Sequence, residues 1–182
     1  MVYLFLANGF EEIEALTAID ILRRADADVV TVGVGGSEIK GAHGVYVKAD
    51  IAENSATTDG LEMVVLPGGP GTGNLADSKV VSRFVDYAYD KGLLIGAICA
   101  APTVLGNRGL LRGKKAVVYP GCEAQLKGAE ICDTSVCEDG NIITANGPGA
   151  STAFGLHLAE RLKGIDTARR VASDMQVREK YV

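Results

Sequence analysis

Residues 93–105 read Leu-Leu-Ile-Gly-Ala-Ile-Cys-Ala-Ala-Pro-Thr-Val-Leu. The first six residues are an apolar, strand-like run, and the segment from Cys99 onward begins with small residues and continues in a helical pattern. Small neighbours permit a tight turn between a strand and a helix. We therefore predict a strand over 93–98, a helix over 99–109, and a cysteine thiol at the carboxyl edge of a sheet.

Strand-length apolar runs recur along the chain, and several are continuous, which is typical of strands covered on both faces. They lie at 2–6, 29–34, 63–66, 93–98, 116–118 and 142–145. Segments with helical periodicity lie between and after them, at 11–25, 79–91, 149–162 and 166–175. This alternation predicts an α/β fold with a mostly parallel central sheet and helices on both faces. Two small added hairpins are predicted at 37–47 and 131–140, the second with a turn signal at Asp139-Gly140.

The composition is that of one soluble domain over residues 1–182, with 47% hydrophobic and 23% charged residues. The formal net charge is −5 and the basic residues are scattered, which argues against nucleic acid as the primary partner. No apolar run approaches the roughly 20 residues that cross a bilayer. The apolar start of the chain runs into Glu11-Glu12, as a first strand does and a signal peptide does not. We expect a cytoplasmic protein with reduced thiols.

Cys99 is the candidate nucleophile. The helix that follows it supplies unpaired N–H groups and a positive dipole end, which favour a thiolate. A fall in the thiol pKa from about 8.5 to about 5.5 makes the thiolate predominant near neutral pH. The alternative is that Cys99 is a small apolar side chain filling the end of a strand.

A glycine-rich loop follows the predicted strand at 63–66, in the sequence Val64-Val-Leu-Pro-Gly-Gly-Pro-Gly-Thr-Gly73. It lacks the Lys-Ser/Thr ending of a phosphate loop and the G-x-G-x-x-G spacing of a dinucleotide site. Parallel strands deliver their loops to the same edge, so Gly68, Gly69 and the Ala100 amide are candidates for an oxyanion hole or substrate site facing the cysteine. The alternative is that these glycines only satisfy turn geometry.

Glu14 is the candidate acid/base. It belongs to the segment Asn8-Gly-Phe-Glu-Glu-Ile-Glu14 after the first strand, and it follows Ile13 at a position from which it can point inward. Burial and a neighbouring thiolate both raise the pKa of a carboxyl group, which then donates a hydrogen bond to sulfur. Glu11 and Glu12 are explained as favourable partners of the helix dipole.

Histidine gives little support to a Cys-His hydrolase, because neither His43 nor His157 lies beside the predicted elbow. His43 is read as part of a polar hairpin loop, and His157 as a surface or packing residue. Tyr119 ends the strand predicted at 116–118, where it either binds substrate or packs against the wall of the site.

The other three cysteines do not form C-x-x-C metal pairs, and no metal site is predicted. Cys122 is either a resolving partner for Cys99 or an unpaired loop cysteine. Cys132 and Cys137 flank the second predicted hairpin and are expected to be free.

Four motifs together resemble the ThiJ/PfpI superfamily, in the branch of the parkinsonism-associated deglycase. They are Phe10-Glu-Glu-Ile-Glu14, Leu66-Pro-Gly-Gly69, Ala97-Ile-Cys-Ala-Ala-Pro102 and Asn146-Gly-Pro-Gly149. The resemblance covers essentially the whole chain and implies one flavodoxin-like, class I glutamine-amidotransferase-like domain, a three-layer α/β sandwich. By the same resemblance, Cys99 is the oxidisable nucleophile, Glu14 is the acid bonded to it, and Gly69 and Ala100 are backbone donors.

The resemblance also implies a homodimer packed near the first helix, with Arg24 and the His43 loop reaching the partner's site. Activities of the branch are glutathione-independent glyoxalase, deglycation of methylglyoxal or glyoxal adducts, oxidative sensing and chaperone action. The peptidase branch has histidine where this chain has Ala100, so peptidase activity is not expected. The deglycase branch often has histidine where this chain has Tyr119, which leaves more acid/base work to Glu14.

The sequence therefore predicts a detoxifying enzyme that acts on small dicarbonyl or glycated substrates through Cys99 and requires no cofactor. The alternative is a redox-sensing or chaperone protein that uses the oxidation of Cys99.

Overall fold

The computed structural model describes residues 1–178, which contain eleven strands and six helices. The strands are β1 (Val2–Ala7), β2 (Val29–Val34), β3 (Glu38–Lys40), β4 (Tyr46–Lys48), β5 (Ile51–Ala52), β6 (Met63–Leu66), β7 (Leu94–Ile98), β8 (Lys115–Ala116), β9 (Glu130–Ile131), β10 (Val136–Asp139) and β11 (Ile142–Ala145). The helices are α1 (Glu12–Arg24), α2 (Thr72–Asp77), α3 (Lys79–Asp90), α4 (Pro102–Asn107), α5 (Ser151–Lys163) and α6 (Ile165–Asp174). Short 3-10 turns occur at Glu53–Ser55, Glu123–Gln125 and Pro148–Ala150.

The central sheet has seven strands in the order β10-β11-β7-β6-β1-β2-β5. Every neighbouring pair is parallel except β10 and β11, which form an antiparallel hairpin at one edge. All six residues of β1 are buried, as expected for a strand with helices above and below it. The α/β architecture predicted from the alternating pattern is confirmed.

Two apolar clusters fill the spaces on the two faces of the sheet. On one face, α1, α5 and α6 pack side chains such as Leu22, Phe154 and Val171 against the sheet. On the other face, α3 and α4 contribute side chains such as Phe84 and Leu105. Acidic residues in the first turn of α1 and Arg23 and Arg24 in its last turn complement the helix dipole.

The strand predicted at 116–118 is wrong as a member of the central sheet. Only Lys115–Ala116 is a strand, and it pairs with β9 in a separate two-stranded sheet. The place beside β11 is occupied by β10, so the Val117 N–H instead donates to the Thr144 side chain at 3.0 Å.

The hairpin predicted at 131–140 is also wrong in its pairing. The turn signal at Asp139-Gly140 joins β10 to β11, so the hairpin runs from Val136 to Ala145. The hairpin predicted at 37–47 is confirmed, because β3 and β4 pair antiparallel. The helix predicted at 99–109 is shorter than expected and begins at Pro102, because the chain first makes a turn through Cys99.

None of the helices within residues 1–178 combines the length and the apolar character that crossing a membrane requires.

Candidate active site

Cys99 occupies a strained elbow at the carboxyl end of β7. Its φ is +63°, a left-handed conformation that is uncommon for residues other than glycine. Two backbone hydrogen bonds hold it there: its N–H donates to the Ala145 carbonyl at 2.8 Å, and its carbonyl accepts from the Tyr119 N–H at 2.8 Å. Contacts with the end of β11 and with the segment after β8 thus fix the direction of the thiol, which is 7% exposed.

The glycine-rich loop after β6 passes directly over this elbow. A Cβ atom at Gly68 would lie 2.7 Å from Cys99 Cβ and 2.9 Å from the Ala100 nitrogen, so no larger residue fits. Gly69 adopts a φ of +97°, which glycine reaches without strain. Close approach and turn geometry therefore both require glycine in this loop.

A second loop, between β1 and α1, is locked to the glycine-rich loop by backbone contacts. The Glu11 N–H donates to the Gly68 carbonyl at 3.0 Å, and the Gly71 N–H donates to the Gly9 carbonyl at 2.8 Å. A Cβ atom at Gly71 would lie 2.0 Å from the Asn8 carbonyl oxygen. These contacts fix where α1 begins, and they bring Glu14 in its first turn to the loop above Cys99.

Glu14 is a buried carboxyl group with 1% exposure. Its Oε2 accepts the Gly68 N–H at 2.8 Å, whereas its Oε1 has no hydrogen-bond partner of ordinary geometry among the described residues. Burial raises the pKa of Glu14 to about 7, although the Gly68 N–H and the Cys99 thiol lower it. The carboxyl group is therefore poised between its acid and base forms near neutral pH.

The pKa of Cys99 is raised rather than lowered, which corrects the expectation of a resting thiolate. Burial comes first, followed by the charge of Glu14 and its hydrogen bond, and together they raise the pKa of the thiol to about 12. The N–H groups of Gly69 and Ala100 lower it but do not prevail. The helix behind the thiol contributes little, because α4 has only six residues and starts three positions later.

The two groups are coupled, and in the resting site the proton stays on sulfur, because the pKa of the thiol is about 12 and that of the Glu14 carboxyl group is about 7. While Glu14 is ionised, its charge opposes a thiolate at Cys99; once Glu14 holds the proton, that repulsion disappears and the acid can donate to sulfur. Glu14 is therefore placed to accept the thiol proton when Cys99 reacts.

The backbone donors at the sulfur are Gly69 and Ala100, whose N–H groups act on Cys99. Gly68 was predicted as a third donor, but its N–H is taken by Glu14 and is not directed to an oxyanion. The part of Gly68 is instead to hold the carboxyl group and to leave room for the elbow.

The backbone of Tyr119 lies beside the elbow, where its N–H donates to the Cys99 carbonyl, and its side chain is 48% exposed. A Cβ atom at Gly147 would lie 3.4 Å from Tyr119 Cδ2, so the ring packs over the Asn146-Gly-Pro-Gly149 turn.

His157 lies on α5, where its Nδ1 is 3.1 Å from the Ala153 carbonyl oxygen.

His43 is tied to Glu12 rather than to the thiol. Its Nδ1 lies 3.0 Å from Glu12 Oε2, and its N–H donates to Glu12 Oε1 at 2.7 Å, while the Val45 N–H donates to the same oxygen at 3.3 Å. The hydrogen bond to Glu12 raises the pKa of His43. Glu12 thus anchors the loop between β3 and β4, a role that sequence analysis missed because no local signal links residues 31 positions apart.

Glu11, Glu12 and His43 place possible metal-ligand atoms within 4.8 Å of one another. Glu12 Oε1 already accepts the His43 and Val45 N–H groups, and Glu12 Oε2 lies against the His43 ring, so a cation would have to displace that anchor. Arg24 lies at the far end of α1 from Glu14, about 15 Å along the helix axis, and pairs with Asp20. It does not contribute to the site of its own chain.

Comparison with known proteins gives one consistent result. The family model described as DJ-1/PfpI family matches residues 1–161. Protein dj-1beta of Drosophila melanogaster is 39% identical over 176 residues, which is 94% of each chain. A Caenorhabditis elegans protein named glutathione-independent glyoxalase DJR-1.2 is 32% identical over 155 residues, 85% of this chain and 83% of the other.

The crystal structure of Drosophila melanogaster DJ-1beta superposes with a TM-score of 0.94 at 36% identity, covering 98% of both chains. This agreement confirms the flavodoxin-like fold, and with the family match over most of the sequence it shows that the chain belongs to the DJ-1/PfpI family.

Proposed function

We propose that this chain is a cofactor-independent glyoxalase or deglycase that removes reactive dicarbonyls such as methylglyoxal through Cys99. One observation carries the proposal: the buried Glu14 carboxyl group, with a pKa of about 7, adjoins the Cys99 thiol, whose sulfur also accepts hydrogen bonds from the Gly69 and Ala100 N–H groups. The glyoxalase name of the 32% identical Caenorhabditis elegans relative supports the same reaction.

The reaction begins when Cys99 sulfur adds to the aldehyde carbon of methylglyoxal and the thiol proton passes to Glu14. The oxygen of the new hemithioacetal carries negative charge, which the Gly69 and Ala100 N–H groups stabilise. Glu14 then returns the proton to this oxygen and is again a carboxylate.

An isomerisation follows. Glu14 takes the hydrogen of the former aldehyde carbon as a proton, which leaves an enediolate, and delivers it to the neighbouring carbon. The hydroxyl proton moves at the same time from the oxygen of the first carbon to the oxygen of the second. The product is a lactate thioester of Cys99, which water cleaves to lactate and the free thiol. Methylglyoxal and one water thus give one lactate, with no net oxidation. From a glycated substrate, the amine or thiol that carried the adduct is released.

The test is lactate production from methylglyoxal without glutathione, using metal-free protein and chiral analysis of the product. We expect wild type and Cys122→Ser to turn over, because Cys122 is a free thiol whose partly buried side chain packs against the apolar cluster of α3 and α4. This variant is the matched control. Cys99→Ala and Glu14→Gln should each lose at least about a hundredfold in rate. Turnover that survives in Cys99→Ala would refute the proposal.

Redox sensing is the second candidate, and the same donors support it. A sulfinate at Cys99 would accept hydrogen bonds from Glu14, Gly69 and Ala100. Negligible wild-type turnover, together with selective oxidation of Cys99 by peroxide, would favour this function over the enzyme.

We also propose a homodimer around α1. The apolar side chains of Ile13 and Leu16 are 55% and 39% exposed on this helix, and Arg24 and the His43 loop lie at its two ends. Such apolar exposure on one helix suits a self-associating face. Sedimentation should give a dimer for wild type and a folded monomer for Leu16→Asp; a monomeric wild type would contradict the assignment.

A further inference from the structure

Two cysteines outside the active site are in direct contact. Cys132 follows β9, Cys137 lies on β10, and their sulfur atoms are 3.2 Å apart, with the Cys137 thiol donating to Cys132 Sγ. Both are free thiols. Between them lie three bend residues, 133–135, and Val136, the first residue of β10, so local chain geometry and the two flanking strands hold the sulfurs together.

The two thiols differ in their surroundings. Cys137 is buried, and burial followed by its hydrogen bond to Cys132 raises its pKa to about 12, so it stays protonated and donates. Cys132 is half-buried and lines a cavity of about 280 Å³ together with Asp133, Thr134 and Asn146. A small oxidant entering this cavity therefore meets Cys132 first, with Cys137 directly behind it.

We propose that Cys132 and Cys137 form a reversible dithiol–disulfide site, independent of Cys99, that is oxidised by hydrogen peroxide or a comparable small peroxide. Cys132 is the attacking thiol and Cys137 is the resolving thiol. Exposure to oxidant together with a resolving thiol in contact is the arrangement typical of reversible cysteine oxidation.

The reaction balances in two steps. The Cys132 sulfur, after losing its proton, attacks one peroxide oxygen; the O–O bond breaks, and hydroxide leaves with that proton as water. The Cys137 sulfur then attacks Cys132 Sγ, the S–O bond breaks, and the hydroxyl group leaves with the Cys137 proton as a second water. Two thiols lose two electrons and two protons to one peroxide. A dithiol reductant reverses the change.

The location connects this site to the elbow. Ser135, inside the turn between the two cysteines, accepts the Asn146 N–H at 3.0 Å. Asn146 directly follows Ala145, whose carbonyl holds the Cys99 N–H. A disulfide at this turn therefore tightens a segment two hydrogen bonds away from the active-site cysteine.

The experiment uses full-length protein carrying Cys99→Ala and Cys122→Ser, so that two of the four cysteines remain. After treatment with one equivalent of peroxide, unfolded protein should lose both titratable thiols, and dithiothreitol should restore them. Peptide mass mapping should find Cys132 linked to Cys137 within one chain. Adding Cys137→Ser to this background should halt the reaction at a dimedone-reactive sulfenic acid on Cys132.

Three results would overturn the proposal: both thiols remaining titratable, Cys132 proceeding to sulfinic acid while Cys137 is present, or links forming only between chains. Circular dichroism of each variant verifies that it is folded, and Cys137→Ala provides a second replacement if Cys137→Ser does not fold. These measurements report thiol chemistry alone, so a failure of the disulfide proposal is distinguishable from a failure of the glyoxalase proposal.

Discussion

Replacing Glu14 by Gln should stabilise the folded protein at alkaline pH and leave its stability almost unchanged in acid. Glutamine preserves the shape of the side chain and can still accept the Gly68 N–H, but it cannot ionise. The wild-type carboxylate is buried with 1% exposure, and the penalty for ionising it there raises its pKa from 4.5 to about 7. The substitution removes that penalty.

The sign follows from which state binds the proton more tightly. Because the pKa of Glu14 is higher in the folded protein, the folded state holds this proton between pH 4.5 and about 7 while the unfolded chain releases it. Wild-type stability therefore falls as the pH rises through this window. The gap between 4.5 and about 7, at 1.36 kcal/mol for each pKa unit, corresponds to about 3 kcal/mol above pH 7.

The assay is urea denaturation of wild type and Glu14→Gln at about pH 4 and about pH 8, at one fixed protein concentration. We expect the free energy of unfolding of Glu14→Gln to exceed that of wild type by about 3 kcal/mol at the higher pH and by less than about 0.5 kcal/mol at the lower. Cys99, with a pKa of about 12, does not titrate in this range.

The matched control is Glu11→Gln, which removes a negative charge at the start of the same helix but keeps the buried carboxyl group. It should retain most of the pH dependence that Glu14 causes, since burial is the largest influence on that residue and the charge of Glu11 the smallest. The reasoning would be refuted if the difference in free energy of unfolding between Glu14→Gln and wild type were the same at both pH values. That result would show that the pKa of Glu14 does not differ between the folded and unfolded states.

Three further predictions concern the active site and the neighbouring His43 loop. Turnover of methylglyoxal should rise with pH through about 7, as Glu14 becomes the carboxylate that accepts the Cys99 proton; a flat profile in steady-state kinetics would contradict this role. Gly68→Ala should destabilise the protein by about 1–3 kcal/mol in urea titrations, because its Cβ would lie 2.7 Å from Cys99 Cβ; a loss below about 0.5 kcal/mol would show that the loop moves freely. Glu12→Ala should release the His43 loop and speed hydrogen exchange of the His43 amide at least about tenfold, and unchanged exchange would mean that the loop is held by other contacts.

The sequence alone determined the fold class and the candidate nucleophile. The strands at 2–6 and 29–34 are continuously apolar, which indicates burial on both faces, and an amphipathic helix lies between them. Both patterns can be recognised from short stretches of the sequence. The cysteine after an apolar strand, followed by small residues, likewise indicated an elbow without any long-range information. The buried position of Glu14 was predicted from its place one residue after Ile13, but Ile13 is itself 55% exposed, so the stated reason was wrong. Contacts between the β1–α1 loop and the glycine-rich loop bring Glu14 inward.

Pairing at the sheet edge was decided only by tertiary structure. The run at 116–118 has the local composition of a strand, yet β10 occupies the position next to β11. Closing the short loop between β10 and β11 costs less chain entropy than adding a segment that is distant in the sequence. For the same reason, the hairpin predicted at 131–140 forms instead between β10 and β11. Its turn lies at Asp139-Gly140, where the sequence predicts it.

Protonation was also decided by the tertiary structure. From sequence, a helix start behind Cys99 indicated a lowered pKa, but the opposite direction results because the elbow is buried and α4 is short. Burial depends on which loops cover the thiol, and the loops of Gly68 and Glu11 do so only after packing against each other. The contact between Cys132 and Cys137 has the same origin: the sequence shows two cysteines five positions apart, and only the strands that flank them bring the sulfur atoms to 3.2 Å.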